Sequence, residues 1–247
     1  DHYEEAMSAL PYVASGVTIN RIEVWVTNKR GNYDQARNIV ALADLGENDP
    51  AHILNPAWTS VGNTRIPYNK ANSMYRTLVE EYSQVRDIQQ ISAVMQSLTG
   101  MELGEDYEKV ESARLLNNGE YTLNAALGYI SLKTALNQDE VLAVAYEYTY
   151  AGQVYQVGEF STDGGEQMKA PNALLLKLLK STNNAPNEKG KGTWDLMMKN
   201  IYSLGANQVS SDKFELYIQY RNDSVGTEMQ YLMEGNVKGK QLLRVMN

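Results

Sequence analysis

Apolar and polar residues alternate in three stretches of the chain: RIEVWVTN (residues 21–28), EVLAVAYEYTY (140–150) and KFELYIQY (213–220). Successive side chains of a strand point to opposite faces, so a period of two in β-branched and aromatic residues predicts a strand. Between Thr18 and Asn28, Ile22, Val24 and Val26 share one parity, and Arg21, Glu23, Trp25 and Thr27 share the other. NKRGN then supplies a turn, and Asn38 to Leu45 reads as the neighbouring strand, ended by Gly46. Val141–Tyr150 and Gln153–Phe160 are separated only by Ala151 and Gly152, which predicts a compact hairpin. Its tyrosine parity, carrying Tyr146, Tyr148 and Tyr150, is the candidate for an aromatic-covered face. Further strands are expected at 121–123, 129–132, 173–179, 214–220, 227–232 and 242–245. ALLLKLLKS, which begins in the third of these regions, is too short and apolar for pattern alone to separate strand from helix.

A different period governs the middle of the N-terminal half. Tyr75, Leu78, Tyr82, Val85, Ile88, Ile91, Met95 and Leu98 recur every three or four residues, the stripe of one long amphipathic helix near 73–98. Asn72 or Ser73 is placed to cap its start and Gly100 its end. The polar, acidic stretch from Gly100 to Gly119 suggests a boundary between an N-terminal β part with the long helix (1–104) and a second β-rich part (105–247). Packing of the two as one unit is the alternative. The expected class is mainly β with accessory helices (α+β): antiparallel β-sandwich-like sheets with one long amphipathic helix.

Composition narrows the chemistry. Seventeen tyrosines against two phenylalanines suit half-buried sheet faces and contact surfaces, because the ring is apolar and its tip polar. Trp25, Trp58, Tyr146, Tyr148 and Tyr150 form the candidate contact surface. A formal charge of −8 without a basic stripe argues against a nucleic-acid partner. With no cysteine, disulfides, thiolate catalysis and cysteine-ligated zinc are excluded. His2 and His52 are the only histidines, and neither has a second at ligand spacing. DLGENDP (44–50) is acidic but lacks the alternating oxygen ligands of an EF-hand. Adjacent carboxylates such as Glu105/Asp106 and Asp139/Glu140 diverge in a strand or a helix. There is no GxSxG elbow or SxxK pair, and the glycine-rich bend from Lys189 to Gly192 lacks phosphate-loop spacing. No catalytic residue, metal ligand or cofactor site is therefore expected, and the chain reads as non-enzymatic. No apolar run is long enough for a membrane-spanning helix. The charged start at Asp1 and the stop just after LLRVM suggest a segment of something longer.

Several long runs carry a resemblance. They are RIEVWVTNKRGNYDQARNIVALADLGE (21–47), YEKVESARLL (107–116) and EYTLNAALGYISLKTALNQDEVLAVAYEYTYAGQVYQVGEFSTD (120–163). LLKLLKST (175–182), TWDLMMKNIYSLGA (193–206) and YLMEGNVKGKQLLRVMN (231–247) continue it. In these runs the chain resembles the SprA/Sov family, the giant outer-membrane translocon of type IX secretion in Bacteroidota. The resemblance covers nearly the whole chain and is weakest around 51–72. It implies a structural or gating segment of a channel that serves protein secretion to the cell surface, and gliding motility where present. Implied partners are the rest of the translocon barrel, other outer-membrane or plug proteins of the system, and secreted cargo. Short sheet elements and Asn/Gly-rich loops suggest a water-exposed insert, at the cell surface or in the periplasm, rather than barrel wall. The alternative is a binding module for cargo, a partner subunit or glycan on the same translocon.

Overall fold

The computed structural model describes residues 3, 6, 15–31, 33–57, 59–61, 66–98, 100–165, 168–183, 193–198, 209–210, 212–221, 226–233 and 235–245. The chain divides into two compact units, Asp1–Lys199 and Asn200–Asn247.

The described residues of the first unit form eight strands: β1 (Val17–Val26), β2 (Arg37–Leu42), β3 (Tyr107–Leu115), β4 (Tyr121–Asn124), β5 (Tyr129–Leu132), β6 (Leu142–Tyr150), β7 (Gln153–Val157) and β8 (Leu174–Lys180). Five of them close a barrel in the order β1-β3-β2-β8-β6, with β6 returning to β1. Its pairs are antiparallel except β2–β8, which runs parallel from Ile39↔Leu174 to Leu42↔Lys177. β6 can serve two neighbours on one edge because it is long: Leu142–Val144 pair with β8, and Tyr146–Tyr150 with β7. Strands from before and after residue 104 thus share one barrel.

The alternation in the sequence explains how the walls fill. Trp25, Ile39, Ala41, Val110, Ala113, Ala143, Ala145, Leu174, Leu176 and Leu178 come from all five barrel strands and form one buried cluster with Phe160. Alanines facing Trp25 and Phe160 let large rings fit a narrow barrel, which is therefore a packed core and not a pore. Side chains of the opposite parity are also covered. Val40, Leu42 and Leu175 pack beneath the chain between β2 and β3. Val24, Val26, Leu142 and Val144 pack beneath the β4–β5 hairpin through Tyr121, Leu123, Ile130 and Leu132. Burying each large side chain contributes roughly 1.5–3 kcal/mol.

The expected β-sandwich is replaced by this closed barrel. Its one parallel pair joins β2 to β8, a pairing that no hairpin can make. The long helix is likewise broken, into α1 (Met74–Glu80), a 3₁₀ turn (Ser83–Arg86) and α2 (Ile91–Ser97). Its stripe survives the break: Leu78, Val85, Ile91, Met95 and Leu98 are buried against the barrel, with Tyr75, Tyr82 and Ile88 packed beside them. Asp87 supplies a local reason. Its carboxylate accepts Gln89 N at 3.0 Å and Gln90 Nε2 at 2.7 Å, drawing the backbone out of the helix. Arg86 supplies a tertiary one. It is buried and donates to Glu159 at 2.6 and 2.9 Å, while Glu159 also accepts from Tyr75 Oη and Leu175 N. Burial alone would lower the Arg86 pKa, but the bonds to Glu159 raise it overall. Removing one partner of such a pair costs about 3–5 kcal/mol, because it strands a buried charge.

Capping at the start of α1 falls to Asn72. Its Oδ1 accepts Met74 N at 3.0 Å, and its amide donates to the carbonyls of Asp44 and Glu47. β3 was not foreseen, since it lies within the stretch read as a polar boundary. Close packing recurs at Gly158, where φ is +77° and an added Cβ would lie 3.1 Å from Ala145 Cα.

Among the described residues of the second unit, the only strands are the two-residue β9 (Tyr220–Arg221) and β10 (Glu228–Met229), joined antiparallel, and Tyr231 bridges Gln241. The rest of the expected strand 214–220 is unpaired. Leu242–Val245, expected as a strand, is a short helix. The bend from Lys189 to Gly192 lies outside the described residues, and the short helix α3 (Thr193–Leu196) follows it.

Candidate contact surface

The five aromatic residues singled out in the sequence do not form one patch. Trp25 is fully buried in the barrel interior, where its Nε1 donates to Glu23 at 3.2 Å. Closure of the barrel turned inward the parity that Trp25 shares with Arg21 and Glu23. Glu23 is satisfied there by Ser161, from N at 2.9 Å and Oγ at 3.0 Å. Arg21 lays its guanidinium 3.8 Å from the centroid of the Phe160 ring and pairs with Asp163 at 2.8 Å. Trp58 lies outside the described residues.

The tyrosine parity of β6 does build an aromatic row. Tyr146 and Tyr148 have ring centroids 6.0 Å apart, Tyr148 stacks on Tyr155 at 5.5 Å, and Tyr155 meets Tyr68 edge-on at 5.7 Å. The pairing Tyr148↔Tyr155 across β6 and β7 places two of these rings face to face, and the turn at Pro67–Asn69 brings the fourth. Tyr148 is only 4% exposed and its hydroxyl donates to Pro67 O at 2.5 Å. Asn69 fastens the same turn to the sheet, with its N donating to Gln156 O at 2.8 Å and its Oδ1 accepting Gly158 N at 2.8 Å. Burial pushes the hydroxyl pKa of Tyr146 and Tyr148 upward, helped by Tyr148 and Glu47 at the first and by Tyr155 at the second. Both hydroxyls stay neutral, and that of Tyr148 is the donor to Pro67 O. The accessible end of the row consists of half-buried Tyr68 and Tyr155. Tyr150 is half-buried at the far end of β6, opposite Gln153.

A second concave feature lies at one end of the barrel. A cleft of about 210 Å³ opens between the β4–β5 hairpin and the ends of β1 and β3, with Val26, Leu116, Leu132 and Leu136 on its apolar side. Its rim is charged and internally matched. Glu120 accepts from Arg114 at 2.7 Å and Arg30 at 2.9 Å, and Lys29 pairs with Asp139. The Arg114 bond is the main reason the Glu120 pKa is depressed. Glu140 is turned onto its own loop, accepting Asn137 N at 2.6 Å and Nδ2 at 2.8 Å.

Other buried carboxylates are similarly occupied. Asp44 accepts Leu54 N and Asn55 N, each at 2.9 Å, so the acidic turn near His52 is tied down rather than open. Asp106 accepts Glu102 N at 2.8 Å and Asn55 Nδ2 at 3.3 Å, and its pKa is raised, chiefly by burial. Glu108 accepts Ser181 Oγ at 2.9 Å and Thr182 N at 2.8 Å. Among the described residues, no group of three or more His, Asp or Glu is placed to hold a metal ion. Nor is any described helix long and apolar enough to cross a membrane. Compared with known protein families and with curated proteins, the chain finds no match.

Proposed function

We propose that this chain is a non-enzymatic structural or gating domain of a type IX secretion translocon in the bacterial outer membrane, supporting protein transport to the cell surface. One observation carries the reading. Four of the six runs that resemble the SprA/Sov family, 21–47, 107–116, 120–163 and 175–182, carry the barrel strands, while the weakest stretch, 51–72, contributes no strand among its described residues. The resemblance therefore follows the residues that fix the fold. The buried carboxylates support a structural role, since Glu23, Asp44, Glu108 and Glu159 each hold a distant loop or strand by hydrogen bonds.

A second reading, a binding module on the same translocon, draws on the accessible end of the tyrosine row at Tyr68 and Tyr155. Burial of Trp25 and Tyr148 removes much of the surface it would need.

Site-specific photocrosslinking at Val154 and Tyr33, both exposed, separates the two during active secretion. Stable adducts with fixed outer-membrane components are expected for a structural or gating domain. Adducts that appear only while cargo is in transit would favour the binding module. A chain that crosslinks to neither, and whose removal leaves surface cargo unchanged, would overturn both.

A further inference from the structure

The apolar run of the second unit lacks the partner its pattern calls for. From Asp212 to Arg221 every residue is exposed except half-buried Ile218. Phe214, Leu216, Tyr217 and Tyr220 are 48, 42, 58 and 44% exposed. The backbone of residues 214–219 makes no hydrogen bond to any described residue, and the ladder with β10 begins only at Tyr220. An alternating stretch with open backbone groups is a template for another strand.

We propose that residues 215–221 pair antiparallel with the same stretch of a second copy of the chain, about a two-fold axis through Ile218. Sequence parity and charge select this register. Directly opposed residues of an antiparallel pair share a face, so Phe214, Leu216, Ile218 and Tyr220 stay together only if a residue, and not a peptide bond, lies on the axis. Centring on Tyr217 sets Lys213 against Arg221, a like-charge pair that is destabilising when directly opposed. Centring on Ile218 instead sets Glu215 against Arg221 on both sides of the axis, with Leu216 against Tyr220 and Ile218 against itself. β10 already flanks β9, so the product is a four-stranded sheet with an apolar face, beyond the two-strand minimum that is marginal alone. The contact is isologous and closes on itself. It goes beyond the translocon reading and does not depend on it.

Sedimentation of the full chain at rising concentration tests the proposal. A monomer–dimer equilibrium is expected. Glu215→Arg or Arg221→Glu alone should weaken it about tenfold, since each creates two like-charge pairs. The double variant should recover it. The chain has no cysteine, so Ile218→Cys introduces a single thiol. That thiol should oxidise to a covalent dimer, whereas Phe214→Cys, whose copies lie beyond opposite ends of the ladder, should not. A strictly monomeric chain would overturn the proposal and leave the stretch for a strand of a different protein. A dimer indifferent to the charge swaps would overturn it by placing the interface elsewhere.

Discussion

β6 and the stretch from Phe214 to Tyr220 have the same kind of sequence and opposite fates. Both alternate, and both carry tyrosines and branched apolar residues. β6 is paired along its length by β1 on one edge and by β8 and then β7 on the other, and both its faces are covered. Among the described residues, the second stretch gains only the two ladder pairs of β9 with β10, and its side chains stay exposed. Alternation thus fixes which residues share a face. Whether that face meets a partner is decided by chain far away in the sequence.

Three substitutions would break or sharpen this contrast. The largest effect is expected from Trp25→Ala, opposite Ala143 of β6 in the barrel interior. It should destabilise the chain by about 3–5 kcal/mol, as for other fully buried aromatic residues. Urea unfolding followed by circular dichroism measures this, and a loss below about 1 kcal/mol would show that the barrel interior is not close-packed. A smaller effect is expected from Glu120→Gln at the barrel-end cleft, about 1 kcal/mol or less because the Arg30 partner is exposed. The Glu120 pKa is depressed in the folded chain, so its contribution is fully present above the unfolded value of 4.5 and fades as pH falls through the folded value. The gap between wild type and variant should therefore be constant near neutrality and close in acid; a gap that widens in acid would contradict the Arg114–Glu120 link. Least affected should be Leu216→Ala, within about 0.5 kcal/mol in the dilute monomer, because the side chain is exposed.

Local pattern made much of the barrel legible. β1, β2, β6, β7 and the β4–β5 hairpin lie where alternation and turn residues put them, and β8 took the strand side of an ambiguous apolar run. β3 was hidden because YEKVESARL has charges on both parities. Glu108 is nevertheless buried, since Ser181 and Thr182, more than seventy residues away, supply its donors. The stripe from Tyr75 to Leu98 gave the right buried face but the wrong continuity. The breaks depend on Asp87, whose capping is local, and on Glu159, whose pairing with Arg86 is not. Trp25 was misread for a related reason: its parity carries Arg21 and Glu23, and only Ser161, Thr162 and Asp163 make that side compatible with an interior. The tyrosine row was foreseen in β6, but the turn that supplies Tyr68 was not.

The parallel pairing of β2 with β8 also sets an order of events as the chain folds. Ile39 must find Leu174, which is 135 residues later (174 − 39). Closing so long a loop costs entropy before the pairing returns anything, so this contact forms after the local ones. β3 lies closer in the chain and can occupy one edge of β2, while the other edge must wait, open, until β8 arrives. For that interval the folding chain has an incomplete wall, and any factor that shields an edge strand has its target there.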